Sequence, residues 1–82
     1  GTSMINAGIF DNDVLIVDRS IRPSDGKVVI AAVNGELTVK RLSIEGKRVQ
    51  LLPENETYPP IEITSDTDLQ IMGVVTNVIH AL

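Results

Sequence analysis

The sequence predicts a mainly β fold, and three observations carry that prediction. Val, Ile and Thr supply 26 of the 82 residues. Branching at Cβ narrows χ1 in a way that suits a pleated, half-buried surface better than a helix. Ala and Leu are too few and too poorly spaced for a helical bundle. Turn signals recur between short apolar runs, so the chain divides into segments of strand length. Its 82 residues fit one domain. A core this small makes oligomerisation an expectation.

The elements follow in order. Residues 4–9 can hold a helical turn. Residues 13–18 place four apolar side chains between acids and read as a short strand. Arg22-Pro23-Ser24-Asp25-Gly26 carries the Pro and Asp-Gly signals of a turn. Residues 27–33 form a longer β-type run that ends at Asn34-Gly35, a pair that tolerates the positive φ of a type I′ hairpin turn. Residues 36–42 alternate and should return antiparallel. A turn at 44–47 leads into a strand at 48–52. The proline-bearing segment 53–60 reads as a loop, 61–63 as a brief strand, and 65–68 as another loop. Residues 69–82 close the chain as one long strand, bent at Gly73.

Composition excludes several function classes. Without cysteine there is no disulfide framework, thiolate nucleophile or zinc finger, which suits a reducing cytosol. Seven basic against eleven acidic side chains, net −4, argue against direct nucleic-acid binding. One Phe and one Tyr leave little for base stacking. No apolar run approaches the roughly 18 residues of a membrane helix, and no signal-peptide pattern is present. A lone His80 in an apolar strand reads as a structural or surface residue. Asp11, Asp13 and Asp18 bracket the first strand without the spacing of a calcium loop. Asn55-Glu56-Thr57 matches a glycosylation sequon of the kind that arises by chance. No Gly-rich phosphate loop occurs, so the sequence calls for no cofactor and no metal.

Two features survive this filter: Ser3 within Gly1-Thr2-Ser3-Met4, and the adjacent cations of Thr38-Val39-Lys40-Arg41. Periodicity does not choose between the cations, because Lys40 shares a strand face with Thr38 and Glu36, and Arg41 with Leu37 and Val39. Chemistry separates them. Arginine keeps its proton in a protein, whereas a desolvated lysine can lose it. A serine–lysine pair is an alternative to serine–histidine for acyl transfer. At an ordinary pKa only about one lysine in 2,500 is neutral at pH 7, so such a lysine has to be buried.

These residues carry a resemblance. Gly1-x-Ser3-Met4, then Asp11-x-Asp13-x-Leu15-Ile16-Val17-Asp18, then Thr38-Val39-Lys40-Arg41-Leu42 resembles the self-cleaving peptidase domain of the LexA and UmuD family. Val49-Gln50-Leu51-Leu52-Pro53-Glu54-Asn55 followed by Pro60-Ile61 is similar to the family's later strand and loop. Gly73-Val74-Val75 with its tail, and Asp18-Arg19-Ser20-Ile21, resemble UmuD more than LexA. The resemblance runs through essentially the whole chain in order.

The resemblance implies several small, curved β-sheets and a cleft holding Ser3 as nucleophile and Lys40 as general base, at the family's spacing. The backbone N–H groups of Thr2 and Ser3 would be the oxyanion donors. It implies self-cleavage of an N-terminal arm, at a small residue followed by glycine, on a RecA–single-stranded DNA filament. In the UmuD branch the trimmed protein forms a homodimer and joins a UmuC-like translesion polymerase subunit in the bacterial cytoplasm. The chain accordingly reads as one peptidase domain, 1–82, without the arm, its cleavage site and the strand before Gly1. An exposed sheet edge would then favour pairing with a second copy, and part of the apolar stretch 74–82 would form the dimer interface. Two alternatives stand beside this reading. One is the C-terminal self-cleavage and dimerisation domain of a LexA-like or phage-type repressor. The other is a non-catalytic β interaction module, in which Ser3 and Lys40 are ordinary surface residues. A signal-peptidase role would require a membrane segment.

Overall fold

The computed structural model describes residues 2–82, and Gly1 of the Gly-x-Ser-Met motif lies outside them. A single 3₁₀ turn, Ile5–Ala7, occupies part of the expected helical segment and is closed by Gly8 at φ 81°. Every other described element is a strand: β1 Val14–Asp18, β2 Val28–Val33, β3 Glu36–Glu45, β4 Arg48–Leu52, β5 Ile61–Ile63 and β6 Leu69–Ile79. The protein is mainly β, as its Val, Ile and Thr content requires.

All six strands join in one sheet of order β1-β6-β2-β3-β4-β5, and each pairing is antiparallel. Where the resemblance implies several small sheets, the hydrogen-bonded ladder is continuous. Two bulges on β6 interrupt its register. Ile30 pairs with Gly73 but Ala31 with Ile71, which leaves Met72 extra. Ile16 pairs with Asn77 but Val17 with Val75, which leaves Thr76 extra.

The β2–β3 hairpin turns on Asn34 (φ 50°) and Gly35 (φ 84°), both left-handed as a type I′ turn demands. Asp68 clamps this turn, its N–H donating to Asn34 Oδ1 and its carbonyl accepting from Asn34 N–H. The β3–β4 turn is tighter than its sequence suggests. Only Gly46 and Lys47 lie outside the ladder, and Ile44 and Glu45 pair with Val49 and Arg48. The last strand ends at Ile79 because its final rung is to Val14, where β1 begins.

One face of the sheet carries the core: Val29, Ala31, Leu42, Leu51 and Val74 are buried together. Val29 sits in the ladder between Val74 on β6 and Lys40 on β3. Lys40 is thus on the core face although it is charged, while Leu37 on the other face is 69% exposed. Gly73 serves a different purpose from a simple bend, because a Cβ there would fall on Val17 Cγ1 of β1. Gly73→Ala is therefore expected to cost about 1–3 kcal/mol through overpacking, read as a lower urea midpoint.

Candidate active site

Lys40 is 8% exposed, and its Nζ lies 2.7 Å from Ser3 Oγ. Two further acceptors complete the set, Thr38 Oγ1 at 2.7 Å and Val39 O at 3.1 Å. As an ammonium, Lys40 donates one N–H to each of the three, so burial leaves none of its donors unpaired. All three partners are uncharged. Desolvation is then the dominant influence, and it pushes the Lys40 pKa below its ordinary value.

The same geometry fits the free amine. Neutral Nζ keeps two N–H donors and gains a lone pair. The Val39 carbonyl can only accept, so it takes one N–H, and Thr38 Oγ1 takes the other. The lone pair is left to accept the Ser3 O–H. The arrangement can therefore draw the Ser3 proton along an existing hydrogen bond as soon as Lys40 is deprotonated. Thr38 shares Lys40's strand face, a relation visible in the sequence, but nothing in the sequence marks it as the lysine's partner.

The segment carrying Ser3 is tied to the loop after β4 by a pair of backbone bonds at Glu54. The Ser3 carbonyl accepts the Glu54 N–H at 2.7 Å, and Asn6 N–H donates to the Glu54 carbonyl at 2.8 Å. Met4, next along, is 3% exposed and anchors the segment. The two adjacent cations divide their tasks. While Lys40 turns into the core, Arg41 pairs with the Glu54 carboxylate and donates to the Gly26 carbonyl at 2.6 Å. Thr2 is exposed. Its carbonyl accepts from Asn55 Nδ2 at 2.9 Å, and its hydroxyl lies 2.6 Å from Tyr58 Oη.

Ser3 opens on a cleft walled by residues 9–13 on one side and 37–39 on the other. Lys40 does not line it, so the lysine stands behind the serine. Asn12, at φ 67°, shapes the first wall. The nearly buried Asp13 carboxylate ties this wall down by accepting the Phe10 N–H at 2.7 Å. His80 approaches Asp13 to 3.5 Å and packs edge-on against Phe10, which is a structural use of the lone histidine. Asp18 lies apart, its carboxyl held below the usual range by hydrogen bonds from the Ser20 hydroxyl and backbone N–H. Among the described residues no group of three or more His, Asp or Glu side chains is placed to hold a metal ion. None of the described helices is long and apolar enough to cross a membrane.

Residues 1–76 match the family model described as Peptidase S24-like. The chain belongs to that family. It is 44% identical over 80 residues to LexA repressor 2 of Pseudomonas syringae pv. tomato, covering 98% of this chain and 40% of that protein. It is 49% identical over 83 residues to the LexA repressor of Acidithiobacillus ferrooxidans, with the same two shares. The LexA repressor of Clostridioides difficile is 42% identical over 83 residues, covering all of this chain and 39% of that protein. The chain thus spans about two-fifths of the length of these curated relatives.

Proposed function

We propose that this chain is the self-cleaving serine peptidase domain of a LexA-like repressor, one domain of a longer protein of the bacterial DNA-damage response. The observation that carries the reading is the 2.7 Å contact between Ser3 Oγ and the Nζ of a buried lysine whose hydrogen-bond partners are all uncharged. In this reading neutral Lys40 takes the Ser3 proton as Oγ attacks the scissile carbonyl. The N–H groups of Thr2 and Ser3 receive the developing oxyanion. The proton passes from Lys40 to the leaving amine, and water then hydrolyses the Ser3 ester.

The names of the relatives favour the repressor context over the UmuD-like one and over a role beside a UmuC-like polymerase subunit. In that context the cleavage site lies in cis, a RecA–single-stranded DNA filament promotes the reaction, and the protein works in the cytoplasm as a homodimer. Val14 and Ile16 on the edge strand and Ile79, the rung partner of Val14, are all exposed apolar residues. They support pairing with a second copy, as does the length of β6.

Incubating the full-length protein at alkaline pH tests the reading. The wild type should cut itself at a small residue followed by glycine, and Ser3→Ala should show no cleavage above the uncatalysed background. Cleavage that survives this substitution would leave the non-catalytic interaction module as the better account.

A further inference from the structure

Asn55 belongs to the β4–β5 loop, within the triplet Asn55-Glu56-Thr57 that has no part in the reaction as described. Its side-chain oxygen accepts the Thr57 N–H at 3.1 Å and the Thr57 hydroxyl at 2.9 Å. A backbone N–H can only donate, so this end of the amide is the oxygen. The nitrogen must then face the Thr2 carbonyl, 2.9 Å away. Thr57 thereby sets the orientation in which Asn55 holds Thr2.

That carbonyl shares a peptide plane with the Ser3 N–H. In a trans peptide the C=O and the N–H point in opposite directions. Pinning the Thr2 oxygen on the side of the 53–60 loop turns the Ser3 N–H to the other side. Ser3 lines the cleft and no residue of the 53–60 loop does, so an N–H turned away from that loop is free to serve the cleft. Two further backbone contacts act on this peptide or the next, both less directly than Asn55. Glu54 N–H fixes the next plane through the Ser3 carbonyl, and Ile5 N–H reaches the Thr2 oxygen only at 3.4 Å, from within the same segment. Tyr58 holds the Thr2 side chain but not its peptide plane.

We propose that Asn55 is a positioning residue, which acts through the Thr2 carbonyl to aim the Ser3 N–H at the oxyanion formed during cleavage. The inference rests on the peptidase reading above. Asn55 itself touches neither the nucleophile nor the scissile bond.

Self-cleavage of the full-length protein across neutral to alkaline pH tests it, in wild type, Ser3→Ala, Asn55→Ala, Asn55→Asp and Tyr58→Phe. Aspartate keeps an oxygen for Thr57, and so the loop's own turn, while removing the donor to Thr2. Both Asn55 variants should lower the alkaline plateau rate by about 10- to 100-fold. In Asn55→Ala the pH of half-maximal rate should stay put, because Lys40 remains buried. Tyr58→Phe should remain within about twofold of wild type, as a surface substitution does.

Plateau rates of both Asn55 variants within about twofold of wild type would overturn the inference. So would a midpoint in Asn55→Ala that moves toward the ordinary lysine range, which marks a general loosening around Lys40. An equal loss in Tyr58→Phe would overturn it too, by showing that any hold on Thr2 suffices. Failure of the underlying reading looks different: an inert wild type, or a Ser3→Ala variant that cleaves, removes the reaction and the inference with it. Should Asn55→Ala not fold, the aspartate variant carries the comparison.

Discussion

If Lys40 is the general base proposed above, Lys40→Arg should lower the self-cleavage rate of the full-length protein by about 100- to 10,000-fold from neutral to alkaline pH, the usual worth of a general base. The substitution keeps a cationic side chain but exchanges a compact amine that can give up its proton for a larger planar group that stays protonated throughout. In the wild type the rate should rise tenfold per pH unit while the neutral amine is the minor form. It should level off below the ordinary lysine pKa, because desolvation lowers that of Lys40. Rates measured at intervals from pH 6 to 11 check both expectations. A midpoint at the ordinary lysine value, or an arginine variant that cleaves normally, would sink the assignment of Lys40 as base.

In the proposed mechanism the same burial ties catalysis to stability. Unfolding returns Lys40 to water and to its ordinary affinity for a proton. Between the folded and unfolded pKa values the unfolded chain therefore binds more protons, and stability rises with pH across that window. Below the folded value both states carry the proton, so the cost of burying the charge is present in full. Among the described residues Lys40 is the one charged residue buried as a whole, backbone and side chain together. A fold that keeps an ammonium on its core face, opposite Val29, gives up stability there in exchange for an amine poised beside Ser3.

How much of this was legible in the sequence depends on the kind of signal each part leaves. Turns were readable, because Asn34-Gly35 and Gly46 solve a local φ problem that only a few residue types can solve. The strands followed from β-branched runs between such turns. The buried cation was not readable from pattern. Lys40 shares its face with Leu42, Thr38 and Glu36, while the more apolar pair Leu37 and Val39 lies on the face away from the core. Alternation within β3 thus points the wrong way, and only the differing chemistry of lysine and arginine, with the family resemblance, singled out Lys40. Asn55 was harder still. Its partner Thr2 is 53 residues away and is engaged through backbone, and a backbone partner leaves no trace in the sequence. The single ladder was likewise invisible, since β6 inserts between β1 and β2 by pairings that no local turn specifies.

Leu51→Ala should be the most damaging core substitution, at about 2–5 kcal/mol, against a total stability of about 5–15 kcal/mol for a domain. Leu51 is fully buried, and its rung partners are Leu42 on one side and Ile61 on the other. An alanine there leaves a cavity in the centre of β3-β4-β5 that the paired backbones cannot close by moving together. The damage should reach the site, because Leu42 is the next core residue beyond Lys40 on β3 and the loop holding Ser3 and Thr2 begins at the end of β4. Leu37→Ala removes an identical side chain from the opposite face, where Leu37 is 69% exposed, and should change stability by no more than about 0.5 kcal/mol. Urea midpoints of the two variants measure the contrast directly. Equal losses would mean that the sheet buries both faces. The single-face core, and with it the reason Lys40 is desolvated while Leu37 is not, would then be wrong.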